Sequence, residues 1–166
     1  MTVSRTSAAL SVPSFVVGAA RVALGALWLM EGALKYRAGF GWADIGFVIQ
    51  GAATNSRVPG YFALFADTVM RPLHGFFGFA TPLLETALGI ALVLGVLTRA
   101  SAFISVLTLL LYWSADQLIW EYPVMVALSV VVIAWPVAAR ALSISAIAER
   151  RLSRLSSAPA PVRVWF

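Results

Sequence analysis

The stretch "GFFGFATPLLETALGIALVLGVL", residues 75–97, runs for more than twenty positions with a single charge, Glu85. A helix of about 20 apolar residues crosses the hydrocarbon layer of a bilayer, and such a run has few other uses. Three further windows have the same character: Phe15–Tyr36, Ser101–Leu118 and Tyr122–Ala139. With 61% hydrophobic and only 11% charged residues in 166, the chain carries more apolar side chains than a soluble domain could bury. The expectation is an all-α protein, an integral membrane four-helix bundle. "TRA" at 98–100 reads as a tight turn between the second and third spans, and Asp116–Glu121 joins the third to the fourth. Short connections make antiparallel neighbours.

Between the first two spans lies a segment too long for a turn. "FGWADIGFVIQG" and "PGYFALFADTVMRPL" are apolar, yet each is too short to span. They read as interfacial or re-entrant pieces over the outer mouth, so the long outer loop carries short interfacial helices. The second should place Phe62, Phe65 and Val69 on one face.

Arginine and lysine placement sets the orientation. With the N-terminus inside, Arg5, Arg99, Arg140, Arg150, Arg151, Arg154 and Arg163 are cytoplasmic, while Lys35, Arg37, Arg57 and Arg71 are outside. Residues 1–14 then form a cytoplasmic N-terminal segment, 15–140 the membrane domain, and 141–166 a basic cytoplasmic tail. No cleavable leader is evident, so the first helix is expected to act as its own signal anchor. In the tail, Ile144, Ile147, Leu152 and Leu155 recur at helical spacing with arginines off the stripe. That pattern suits either an amphipathic helix on the anionic inner leaflet or a solvated tail.

Charge within the spans is the informative exception. Arg21, Glu31 and Lys35 sit in the first, Glu85 in the middle of the second. An uncompensated charge at mid-bilayer costs several kcal/mol, so these groups pair, reach the interface or serve function. Glu31 and Lys35 are four apart, in the favourable order for a helical ion pair. Arg21 snorkels to the inner headgroups or pairs with Glu85; Lys35 is the other candidate partner, and spacing does not choose between them. Mutual neutralisation as structural glue is one outcome. The other is a polar pocket at the outer ends of the helices, where Glu31, Lys35 and Glu85 converge with Asp116 and Glu121. Trp28, Tyr112 and Trp113 would line it. Such a pocket suits an amphipathic ligand, a quinone or a lipid, with Glu85 and Glu31 as a proton relay.

Missing residues narrow the chemistry. There are no cysteines and one histidine, His74, so thiol catalysis and a bis-histidine haem within one chain are excluded. No metal set, phosphate loop or dinucleotide fingerprint is present, and nothing points to nucleic acid.

"RVALGALWLMEGALKY" contains R-x3-G-x6-G-x2-K, namely Arg21, Gly25, Gly32 and Lys35. "LLETALGIALVLGVLTRASA" follows, with a glutamate, spaced glycines and a Thr-Arg pair. In these residues the chain resembles the DoxX family, and within it the DoxD-like small membrane subunits of thiosulfate:quinone oxidoreductase, over roughly Phe15 to Pro136. The resemblance implies a four-helix fold in a bacterial or archaeal cytoplasmic membrane, both termini inside, and a link to quinone-coupled oxidation. It implies Arg21, Lys35 and Glu85 as the motif-bearing polar residues. The partners expected are membrane lipid, another membrane or redox subunit, and a second copy of the chain. A non-catalytic membrane anchor or assembly partner is the competing expectation.

Overall fold

The computed structural model describes residues 12–140 and 143–144. Among them every regular element is helical, so the chain is all-α. The elements are α1 (Val12–Ala38), α2 (Trp42–Thr54), α3 (Gly60–Phe65, continued by a π-helical turn Ala66–Met70), α4 (His74–Leu94), α5 (Thr98–Ser114), α6 (Glu121–Ala134) and α7 (Pro136–Ala139). Apart from Ile144, the tail stripe lies outside the described residues.

Two of these helices, Ser14–Ala38 within α1 and α4, are long and apolar enough to cross a bilayer. The third and fourth windows give shorter elements than their composition predicts. α5 has 17 residues and α6 only 14. At about 1.5 Å per residue these cover roughly 25 and 21 Å, against about 30 Å of hydrocarbon. The fourth window breaks at Trp135, whose φ of −122° and ψ of 62° are not helical. The cause is Pro136: its ring disfavours helical backbone in the residue before it, and it opens α7 instead. The turn between α4 and α5 is also displaced from the expected 98–100. Gly95 ends α4 with φ +72°, Leu97 follows at φ +49°, and Thr98 already starts α5. Left-handed backbone at α4's end suits glycine, which bears no Cβ penalty there.

The main core is a seam between α1 and α4, the most extensive helix contact in the fold. Val17, Arg21, Leu24, Trp28 and Glu31 are buried on α1; Gly78, Pro82, Glu85, Gly89 and Leu92 are buried on α4. Both sets step by four and three, the spacing of one helical face. Gly25 and Gly89 let the backbones touch: a Cβ on Gly89 would stand 2.9 Å from the Gly25 carbonyl oxygen, and one on Gly25 2.9 Å from that of Gly89. α6 completes the seam with Tyr122, Met125, Ser129 and Val132, and α5 with Ala102, Ser105 and Leu109.

A second core holds α2 and α3 against one end of the bundle. Ile45, Ile49, Ala52, Phe62, Ala66 and Met70 are buried there, with Phe40, Phe65 and Phe77 packed against them. Phe62 and Phe65 share a face, as expected, and it points inward, but Val69 does not join them; it is exposed, and Ala66 and Met70 carry the stripe instead. The π-helical turn accounts for the change, because an inserted position rotates the residues that follow onto another face. The outside of the bundle is apolar: Leu34, Phe79, Leu107, Leu110 and Val130 are among the many large hydrophobic residues exposed.

Candidate functional site

The seam brings ionisable groups from four helices to one point. Lys35, on the last turns of α1, donates from Nζ to Glu85 Oε1 at 2.7 Å and to Glu31 Oε2 at 3.1 Å. Tyr112 of α5 donates its hydroxyl to the same Glu85 oxygen at 2.5 Å, and Tyr122 of α6 reaches Glu31 Oε2 at 3.5 Å. The two phenol rings lie against each other with centroids 5.6 Å apart. Lys35 Nζ also sits 5.5 Å from the Tyr112 ring centroid and 5.9 Å from that of Phe40. Of the two candidate partners for Glu85, the structure selects Lys35.

Glu85 is completely buried, and its second oxygen, Oε2, has no hydrogen-bond partner. Two carboxylates and one ammonium leave one negative charge when all three are ionised. The phenols, the ammonium and the aromatic faces therefore do the work that water does elsewhere. Glu31 and Lys35 belong together by helical spacing, and Glu85 reaches them because the close glycine contact draws α4 onto α1.

Arg21 occupies the opposite end of the seam. It is fully buried and does not snorkel; its Nη1 donates to the carbonyl oxygens of Leu92 and Val93, the latter at 3.0 Å. The guanidinium thus adds a second donor to the Leu92 carbonyl, which also accepts from the Gly95 amide, and supplies one to Val93 in the last turn of α4, where positive charge meets the negative end of the helix dipole. A Cβ on Gly95 would approach Arg21 Nη1 to 2.8 Å, so the glycine that ends α4 also makes room for this arginine.

The remaining expected site residues divide. Trp28 is buried in the seam, its ring 6.5 Å from Tyr112, and its Nε1 donates to Ser105 Oγ at 2.8 Å. Ser105 continues to Ser129 at 2.9 Å, a buried chain that sequence reasoning missed. Trp113 is 57% exposed and points away from the cluster; it follows Tyr112 directly, and neighbours on a helix face different ways. Asp116 does not join the cluster either. It binds the α2–α3 connection, accepting from Asn55 Nδ2 at 2.8 Å and Arg57 Nη2 at 2.7 Å. Glu121 opens α6 beside Tyr122, but no hydrogen bond links it to the Lys35 group. Tyr122 was the other residue missed. Its spacing to Met125 and Ser129 is the signal that would have placed it on the seam.

A cavity of about 60 Å³ lies between the bundle and its α2–α3 cover, with Lys35, Thr81 and Tyr112 on one side and Ile45, Phe62 and Met70 on the other. Arg57 and Asn55 on Asp116, with Tyr61 on Ser114 Oγ at 2.7 Å, tie the cover to the end of α5. Among the described residues no three of His, Asp and Glu are grouped to hold a metal ion. No family model, curated protein or solved structure matches the chain significantly.

Proposed function

We propose that this protein is a multi-pass membrane subunit whose Lys35 cluster receives the polar head of an amphipathic ligand beneath the α2–α3 cover. One observation carries the proposal: two acids, an ammonium and two phenols converge at one end of the bundle, beside a cavity. Ionisable residues inside a membrane bundle mark functional positions. The apolar exterior and the two bilayer-length helices support the membrane setting. On this reading α5 and the broken α6–α7 unit complete a four-helix bundle, with both termini on the cytoplasmic side.

The resemblance in Arg21, Gly25, Gly32, Lys35 and Glu85 makes a quinone of a redox complex the leading ligand class. The donors suit a ring carbonyl: Lys35 and Tyr112 both border the cavity. The volume does not suit the ring as the cover lies. Benzene occupies an engineered cavity of about 150 Å³, and this one is about 60 Å³. Entry therefore requires the cover to lift. Glu85 and Glu31 are the groups placed to hold a proton, Glu85 through its unpartnered Oε2.

Mass spectrometry of the protein in lipid nanodiscs, with endogenous small molecules and partners retained, tests the reading. Stoichiometric quinone, lost from Lys35→Met, is the expected result. Quinone-coupled turnover at the wild-type rate in Glu85→Gln would remove the proton role. The closed cavity favours one alternative, a non-catalytic anchor in which the cluster is purely structural; a stoichiometric protein partner with bulk lipid alone would select it.

A further inference from the structure

A second recess, mostly apolar but with polar groups at its edge, lies in the cover and does not include Lys35. It is an open groove of about 470 Å³ between one face of α2 and the turn that leads into α4, lined by Trp42, Ile49, Gln50, Arg71 and His74 among others. That is within the size range of small-molecule sites, roughly 300–1,000 Å³. Its walls are fixed relative to each other. Gly78 lets α4 approach the start of α2 so closely that a Cβ there would stand 2.6 Å from the Trp42 amide nitrogen. The Trp42 and His74 rings meet edge to face with centroids 6.0 Å apart.

The polar atoms of this groove are held but not consumed. Arg71 Nε donates to Asp67 Oδ1 at 2.8 Å, which orients the guanidinium and leaves both Nη groups without a protein partner among the described residues. His74 Nδ1 lies 2.8 Å from the Arg71 carbonyl oxygen, which can only accept, so Nδ1 carries the proton of this bond. The other ring nitrogen, Nε2, remains for a ligand. Trp42 Nε1–H and the Gln50 amide likewise have no side-chain partner. The set that lines the groove thus includes a guanidinium fork, an indole and an amide as further donors, a ring nitrogen, and Ile49 as an apolar wall. A phosphate oxygen matches the fork. Trp42 is exposed, the kind of residue that sits at headgroup level, and exposed Phe47, Phe76 and Phe79 lie along the same two helices as apolar surface.

We infer that this groove binds the phosphodiester of a membrane phospholipid, with Arg71 as the principal contact, Trp42 and Gln50 as donors, and acyl chains along the exposed aromatic residues. The inference rests on the membrane setting but not on any ligand at Lys35. A free phosphate ion presents the same oxygens, and the test separates the two.

The probe is palmitoyl-oleoyl phosphatidylglycerol added to the full-length, detergent-purified protein, with bound lipid counted by native mass spectrometry. Arg71→Gln and Gln50→Leu alter exposed side chains and are expected to fold as the wild type does. Loss of a charge-assisted contact should weaken retention about tenfold in Arg71→Gln and by a smaller factor in Gln50→Leu. The matching diacylglycerol, which lacks the phosphate, should be retained poorly by all three proteins. Equal retention of phosphatidylglycerol by wild type and Arg71→Gln would overturn the inference, as would equal retention of diacylglycerol. Displacement of the lipid by millimolar inorganic phosphate would assign the groove to a free anion and also overturn it. Carbonate extraction of the native membranes reports the membrane setting separately, and quinone content of the same samples reports the Lys35 site.

Discussion

Lys35 is the residue on which the buried cluster depends. Among the described residues it is the one cation paired with Glu31 and Glu85, and both ion pairs are largely screened from solvent. Removing one partner of a buried pair costs about 3–5 kcal/mol, because the other charge stays buried without compensation. Lys35→Met should therefore destabilise the fold by roughly that amount, measured by equilibrium unfolding in mixed detergent–SDS micelles. Tyr112→Phe removes one hydrogen bond to a charged group and should cost about 1.5–3 kcal/mol in the same assay. A Lys35→Met protein as stable as Tyr112→Phe would show that the carboxylates find another partner, and the cluster would not be a unit.

At the scale of elements, two contacts decide the architecture. The first is the glycine contact between α1 and α4, which sets how far Glu85 stands from Lys35. Gly89→Ala adds a methyl 2.8 Å from the Leu29 amide nitrogen, where backbone must move. Overpacking of this kind costs about 1–3 kcal/mol, and here it should also separate Lys35 from Glu85. The unfolding midpoint of Gly89→Ala should fall, and the added loss from Lys35→Met in that background should be smaller than in the wild type. The second contact is the tie between the cover and Asp116, which itself adopts φ +57°. Asp116→Ala releases both Arg57 and Asn55. Hydrogen exchange should quicken in α2 and α3 while α1 and α4 keep their protection; uniform protection would mean that the second hydrophobic core alone holds the cover shut.

For the whole molecule the proposed four crossings predict which residues are reachable from each side of the membrane. A chain without cysteine makes the measurement clean. In sealed membranes, Ser56→Cys should react with an impermeant thiol reagent from the outside, and Ser7→Cys and Ser157→Cys only after the membrane is opened. Labelling of Ser7 and Ser157 replacements from opposite sides would require an odd number of crossings, and the four-helix topology would fall. The short lengths of α5 and α6 are compatible with four crossings if the loop at 115–120, with its exposed Trp120, and the α7 turn sit at the two interfaces, with the bilayer thinned to meet them.

Helical identity and the pairing of Glu31 with Lys35 were legible in the sequence, because each depends on spacing within one helix. The stop at Trp135–Pro136 was not read, although it is a local steric effect, because the apolar composition of the window obscured it. The partner of Glu85 was not legible, since the axial offset between α1 and α4 is set by the Gly25–Gly89 contact, which no local pattern records. The same holds for Arg21, which turned to the carbonyls at the end of α4, and for Asp116, which turned to the cover. Spacing along a helix determined which face each charged residue shares. Only the tertiary structure decided what that face meets, because backbone approach and relative shift belong to the pair of helices and to neither alone.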